Sequence, residues 1–183
     1  VFEDFWCWIT ETLNFLKGSE GCNIYLKPHP NRIEGEDEII DSLAKDYPFV
    51  TVLPDDVTTS DVFYSLPSLI VTVYGTIIAE AAYHGIKVLA CGDNPASSYD
   101  FFYQAKDRED YFLFLSNYDN FNLPDNYKAE VESFIYMHSI FERYDFSKSP
   151  FPRAKRINGK FLDAFRYTEG SSCEEYDSYL HRI

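Results

Sequence analysis

The sequence is poor in positive charge, in cysteine and in long apolar runs, and each shortage excludes a class of protein. Its 16 lysines and arginines face 30 aspartates and glutamates, a formal net charge of −14, so overall charge cannot drive binding to nucleic acid or to an anionic membrane. No apolar run reaches the length of a membrane span. We therefore expect a cytoplasmic protein, and peripheral association of the full-length protein with the inner face of the membrane stays open.

The few cysteines form no recognisable pattern. There are four, Cys7, Cys22, Cys91 and Cys173, without a C-x-x-C pair, which argues against a zinc site and a disulfide framework and favours a reducing environment. Cys22 and Cys91 adjoin apolar runs, where we expect them to behave as small hydrophobic side chains. We expect no metal and no cofactor.

Apolar and aromatic residues are abundant. They make up 45% and 18% of the 183 residues, which is enough for one substantial domain with a core. The chain starts at Val1 inside a predicted helix, so we expect a fragment of a longer protein.

Helical and strand patterns alternate along the first half of the chain. The predicted helices cover residues 2–16, 36–47, 58–66 and 76–84, and the predicted strands cover residues 22–26, 49–53, 68–73 and 87–91. This alternation with short connections indicates an α/β fold, in which a parallel sheet carries helices on both faces.

The pattern changes after about Asp107. Residues 107–115 and 125–144 read as helices, 147–156 as a linker, 158–167 as a last helix and 168–183 as a polar tail. We therefore divide the chain into a domain at residues 1–146 and a segment at 147–183 that packs back on it or on a missing N-terminal domain.

Polar residues follow the first predicted strand in the stretch KPHPNR. Lys27, His29 and Asn31 come at the strand's carboxyl end, where open parallel sheets bind ligands. His29 precedes a proline, which favours an extended backbone and fixes the direction of its ring. A cation and an imidazole there predict a phosphate site, since a phosphate favours the protonated imidazole.

A second stretch, VYGTIIAE, follows the third predicted strand. Tyr74, Gly75 and Thr76 come at its carboxyl end, so we expect them at the same edge of the sheet as the first stretch. Gly75 lets a phosphate approach the backbone, and the helix start offers unpaired N–H groups. Glu80 lies one helical turn beyond Thr76 and can accept from ribose hydroxyls; its apolar neighbours predict partial burial.

A third connection follows the fourth predicted strand. The loop from Gly92 to Ser98 comes at the same edge and either lines a ligand pocket or forms a plain turn. The aromatic residues beyond it either stack on a base or sugar or pack in the core; they are Tyr99, Phe101, Phe102 and Tyr103.

Together, K-x-H-P after a strand and the later run LPDDVTTSDVFYSLPSLIVTVYGTIIAEAAYHGIKVLACGDNP resemble the C-terminal half of GT-B glycosyltransferases, above all bacterial capsule and surface polysaccharide biosynthesis proteins. The resemblance covers about residues 23–115. It implies a Rossmann-like sheet, one half of a GT-B fold, followed by C-terminal helices. It also implies binding of a sugar nucleotide as donor substrate.

The resemblance assigns roles to individual residues. It implies that Lys27 and His29 bind the donor phosphates, that Gly75 and Thr76 add backbone contacts, and that Glu80 holds the ribose. Relatives of the sialyltransferase kind carry two serines where this chain has Gly-Thr, so the base of the donor stays open. The catalytic base of inverting relatives usually comes from the N-terminal domain, so we expect this chain to bind its donor without catalysing transfer alone.

Two other interpretations remain at this stage. A UDP-sugar 2-epimerase has a similar nucleotide site, although such enzymes usually carry a longer glycine and serine run at the helix start. In the second interpretation, the domain is a non-catalytic module that binds a nucleotide or another protein.

Overall fold

The structure is a computed structural model, and it describes residues 1–19, 21–29, 32 and 35–140. Val1–Ser139 form one compact unit. The predicted linker at 147–156, the predicted helix at 158–167, the tail and Asn31 lie outside the described residues.

Helices and strands alternate as the sequence predicts. The elements are α1 Phe5–Leu16, β1 Ile24–Leu26, α2 Glu36–Asp46, β2 Val50–Val52, α3 Thr59–Tyr64, β3 Leu69–Thr72, α4 Ile77–Tyr83, β4 Lys87–Ala90, β5 Tyr103–Gln104, α5 Arg108–Asn117 and α6 Tyr127–Ile135. A 3-10 turn at Tyr118–Asn120 follows α5, and a π-helix at Tyr136–Ile140 follows α6. Every predicted element up to residue 91 is present, although most are slightly shorter.

Side-chain caps fix where α1 and α5 begin. The carboxylate of Asp4 accepts the N–H of Cys7 at the start of α1, and Asp107 accepts the N–H of Asp110 at the start of α5. These bonds satisfy N–H groups that have no partner within a helix. The caps therefore set the helix boundaries that the apolar periodicity alone leaves approximate.

The strands form two small parallel sheets. β1 pairs with β2, and a second sheet has the order β3-β4-β5. The α/β class and the parallel pairing are confirmed, but the single sheet expected from the sequence is divided in two. Strands of three residues expose few backbone groups for pairing, and helix packing rather than a strand ladder joins the two sheets.

Helix α1 lies against both sheets. Its Leu13 and Ile9 pack with Leu43 of α2 and Val50 of β2 around the two-stranded sheet. Other α1 side chains, Trp8 and Leu16 among them, pack in the core around β4 and α5. One amphipathic helix thus shares its apolar face between two cores.

Strand β4 carries helices on both faces of the three-stranded sheet. Val88 and Ala90 lie in a core with side chains of α4 and α6, while Leu89 and Cys91 lie in a core with α5. Alternate residues of a strand point to opposite faces, so both faces are covered. The arrangement that the sequence predicts is confirmed here.

The cysteines divide by burial. Cys91 is buried, and loss of solvation raises its pKa to about 11. Cys22 is exposed, so the expectation that it behaves as a buried hydrophobic side chain is wrong. It precedes β1 by two residues and lies outside the strand that would have buried it. Among the described residues, no helix has both the length and the apolar character needed to cross a membrane.

Candidate functional site

Lys27 lies directly after β1 and is already hydrogen-bonded within the protein. Its Nζ donates to the carbonyl oxygen of Val57 over 2.7 Å. That bond ties the connection before α3 to the carboxyl end of β1. An ammonium group has three N–H donors, so Lys27 keeps donors that can reach a ligand oxygen.

The following residues place a histidine at the surface. Pro28 is buried and His29 is exposed, so the ring of His29 is accessible next to a fixed backbone position. Asn31, which we expected beside it, lies outside the described residues.

Arg32 is a cation that the sequence argument missed. Its guanidinium forms ion pairs with Asp37 of α2 and with Asp55 in the turn after β2. Its side chain is 23% exposed, against 74% and 75% for the two carboxylates. The arginine of KPHPNR and the later aspartate pair are the signal in the sequence, but only the fold brings them together. The pairs offset the positive charge of Arg32 within the protein.

Helix α3 begins with a reciprocal cap. Thr58 accepts the N–H of Asp61, and the carboxylate of Asp61 accepts both the N–H and the hydroxyl of Thr58. The hydrogen bonds from Thr58 lower the pKa of Asp61, and the nearby charge of Lys27 adds to the effect. The sequence offers Thr58 and Thr59 as caps for this helix, and the structure shows Thr58 in that role.

We expect Asp61→Ala to lower the melting temperature at neutral pH and to lose that effect in acid. The pKa of Asp61 is lowered in the folded protein, so its carboxylate stabilises the fold above the ordinary pKa of 3.8. This contribution is lost as the pH falls through the lower, folded-state pKa. Thermal melting of both proteins as a function of pH measures the difference.

The matched control is Asp56→Ala, which removes a neighbouring exposed carboxylate outside the cap. A difference between wild type and Asp61→Ala that stays constant down to acid pH would contradict the electrostatic account of the cap.

The connection between β3 and α4 is the other half of the predicted site. Gly75 has a φ of +132°, a backbone conformation that residues other than glycine rarely adopt. The hydroxyl of Thr72 donates to the carbonyl of Tyr74 over 3.2 Å and helps to hold the turn. In the part of the chain that the structure describes, no hydrogen-bond acceptor takes the N–H of Gly75 or of Thr76. Two backbone donors of this turn thus have no protein acceptor among the described residues.

Thr76 caps α4 without a side-chain hydrogen bond, and both it and Glu80 are exposed. Helix α4 has only 7 residues, so the backbone N–H groups matter more here than its dipole does. The expected partial burial of Glu80 is wrong. Its neighbours Ile78 and Ala81 are buried, but the helical period places Glu80 on the solvent side with Thr76.

Tyr74 is 59% exposed, and its ring meets Phe5 of α1 edge-on, with 6.0 Å between ring centroids. The tyrosine therefore has one partner within the domain and an exposed remainder at the carboxyl end of β3.

Gly92 has a structural explanation. A β-carbon there would lie 2.8 Å from Cγ1 of Val73 and 2.9 Å from the Val73 carbonyl oxygen. The Gly92 N–H donates to that carbonyl over 2.8 Å, and the Gly92 carbonyl accepts from Nε2 of Gln104 over 2.9 Å. The close approach of two protein strands, rather than space for a ligand, requires glycine at this position.

The two halves of the predicted site lie at the ends of strands in different sheets. β1 and β3 are not neighbours in either sheet, so the continuous edge assumed from the sequence is absent among the described residues. The start of α3 contacts the end of β1, and α3 itself contacts the end of α4 that is opposite the turn at Gly75. Val57, just before α3, binds Lys27, and Phe63 of α3 packs against His84 at the end of α4, with 5.1 Å between ring centroids.

The aromatic residues after Gly92 pack mainly inside the protein. Phe101 and Phe102 are buried in the core with α4 and α6, and Tyr103 stacks on Phe114 at 4.0 Å between ring centroids. Of the two interpretations left open for these rings, core packing holds for Phe101 and Phe102.

Histidine, cysteine and carboxylate side chains form no group of three or more that could hold a metal ion within residues 1–19, 21–29, 32 and 35–140. Comparison with protein families, with curated proteins and with solved structures found no match to this chain.

Proposed function

We propose that the chain is the donor-binding part of a GT-B glycosyltransferase of bacterial capsule or surface polysaccharide synthesis, acting in the cytoplasm. The observation that supports this most is the connection at residues 73–76. There a glycine turn leaves the N–H groups of Gly75 and Thr76 without an acceptor among the described residues, beside the exposed Thr76 hydroxyl and the Glu80 carboxylate.

These groups match the parts of a nucleotide. Backbone N–H groups beside a glycine suit phosphate oxygens, because no side chain blocks their approach. A carboxylate one helical turn away can accept hydrogen bonds from the two ribose hydroxyls. Glu80 and Thr76 lie on the same exposed side of α4, so one nucleotide can reach both.

The proposal also includes Lys27 and His29, which follow β1 in the other sheet. In the reaction, negative charge grows on the phosphate as the bond to the sugar breaks, and positive groups held in place stabilise that charge. Lys27 can contribute the donors that Val57 does not use, and His29 can contribute a ring N–H donor. Local cations are necessary because the chain as a whole, at −14, repels a nucleotide.

We expect His29→Ala to weaken nucleotide binding about tenfold or more, since a hydrogen bond to a charged phosphate oxygen contributes about 1.5–3 kcal/mol. Calorimetric titration of the 183-residue chain with CMP, CDP, UDP and GDP measures the effect and identifies the preferred base.

The matched control is His84→Ala. His84 is also exposed but ends α4, whereas Thr76 begins that helix, so its loss should leave nucleotide affinity unchanged. Equal affinities of wild type and His29→Ala for every nucleotide would remove His29 from the site.

A further inference from the structure

A depression of about 450 Å³ lies beside β5, separate from the residues proposed for the nucleotide. One wall comes from the loop before β5, which includes Ser97 and Asp100, and the other from the loop before α6, which includes Phe121 and Asn122. We propose that this depression binds a neutral sugar unit. The proposal does not depend on the nucleotide site, since it rests on these residues alone.

The aromatic part of the depression is rigid. Tyr103 stacks on Phe114 and meets Phe121 edge-on at 5.9 Å between ring centroids. Its hydroxyl donates to the Asp110 carboxylate over 2.6 Å, a bond that raises the pKa of Tyr103 to about 12. The ring is thus neutral and held in place, as a surface for stacking the C–H face of a sugar requires.

The polar groups around this ring are of several kinds. The amide of Gln104 is oriented by its bond to the Gly92 carbonyl, and the Ser97 hydroxyl lies 3.4 Å from Oε1 of Gln104. The exposed side chains of Asp100, Lys106 and Asn122 add a carboxylate, an ammonium and an amide. Donors and acceptors are therefore mixed, and the two opposite charges offset each other.

This mixture favours a neutral ligand with many hydroxyl groups. Each sugar hydroxyl both donates and accepts, so it can bond to a carboxylate, an amide or an ammonium in turn. A highly charged ligand of either sign gains little here, because the charges of Asp100 and Lys106 offset each other. An apolar ligand would leave the polar rim without partners.

The test uses methyl glycosides of glucose, galactose and N-acetylglucosamine at millimolar concentrations. Two-dimensional ¹H–¹⁵N NMR spectra of the 183-residue chain follow the side-chain amide signals of Gln104 and Asn122. We expect at least one glycoside to shift both signals in a saturable way. We expect Asn122→Ala and Asp100→Ala each to weaken that binding about fivefold or more, since each removes a hydrogen-bonding group.

The matched control is Asp46→Ala, which removes an exposed carboxylate at the end of α2 and should leave glycoside binding unchanged. Asp100, Asn122 and Asp46 are all exposed, so these variants should fold. No shift with any of the three glycosides, or equal weakening by Asp46→Ala, would overturn the proposal. If nucleotides bind and the glycosides do not, the sugar site is wrong and the proposed function stands. If a glycoside binds and the nucleotides do not, only the nucleotide site is wrong.

Discussion

Gly92→Ala should destabilise the protein by about 1–3 kcal/mol, which is the usual cost of forcing an extra methyl group into a packed structure. We expect a value toward the upper end of that range. The added carbon would lie 2.8 Å from a side-chain atom of Val73 and 2.9 Å from its backbone oxygen. A side chain can rotate away, but the backbone oxygen also accepts the Gly92 N–H and cannot move without losing that bond. Urea unfolding of both proteins measures the difference in free energy of unfolding.

The double variant Val73→Ala with Gly92→Ala separates the two contacts. Val73→Ala removes the atom at 2.8 Å and leaves the carbonyl at 2.9 Å, so we expect it to recover only part of the loss. Unchanged stability of Gly92→Ala together with weaker nucleotide binding would instead show that Gly92 is needed for a ligand.

Tyr111→Phe should destabilise the protein by about 1–3 kcal/mol, because it leaves a donor and an acceptor at a buried site without their partner. Tyr111 lies on α5, and its ring is fully buried in a core that includes side chains of α1. Its hydroxyl accepts from Nε1 of Trp8 over 3.0 Å and lies 2.8 Å from the Thr12 hydroxyl. Thr12 donates to the Trp8 carbonyl, so the Tyr111 hydroxyl donates to Thr12.

A double-mutant cycle with Trp8→Phe tests this explanation. Removal of the indole donor also removes the group that Tyr111→Phe leaves unsatisfied. The double variant should therefore lose less free energy of unfolding than the sum of the two single variants' losses. Strictly additive losses would show that the Trp8–Tyr111 bond contributes nothing, and Tyr111 would then be held to α1 by its bond to Thr12 and by apolar packing.

The sequence predicted features that depend on neighbours along the chain. Apolar periodicity placed α1, α2 and α4, and the two threonines at 58 and 59 marked the start of α3 to within one residue. Strand β5 was missed because two residues, Tyr103 and Gln104, are too short for any period to show.

Features set by distant contacts could not be predicted in the same way. The bond of Lys27 to the Val57 carbonyl joins residues 30 positions apart and carries no local signal. The exposure of Glu80 follows from which side of α4 meets β4 and α6, and the composition of its neighbours pointed the other way. The division of the strands into two sheets likewise shows only in the pairing of residues far apart in the chain.

The most direct test of the nucleotide site is a ¹H–¹⁵N NMR titration with whichever of the four nucleotides binds most tightly, followed at the backbone signals of Gly75 and Thr76. These are the N–H groups that have no acceptor among the described residues. The proposed function predicts that they shift strongly with the nucleotide and little with the matching nucleoside, which has no phosphate. Saturable binding that leaves both signals in place would contradict the assignment of the phosphate to this turn.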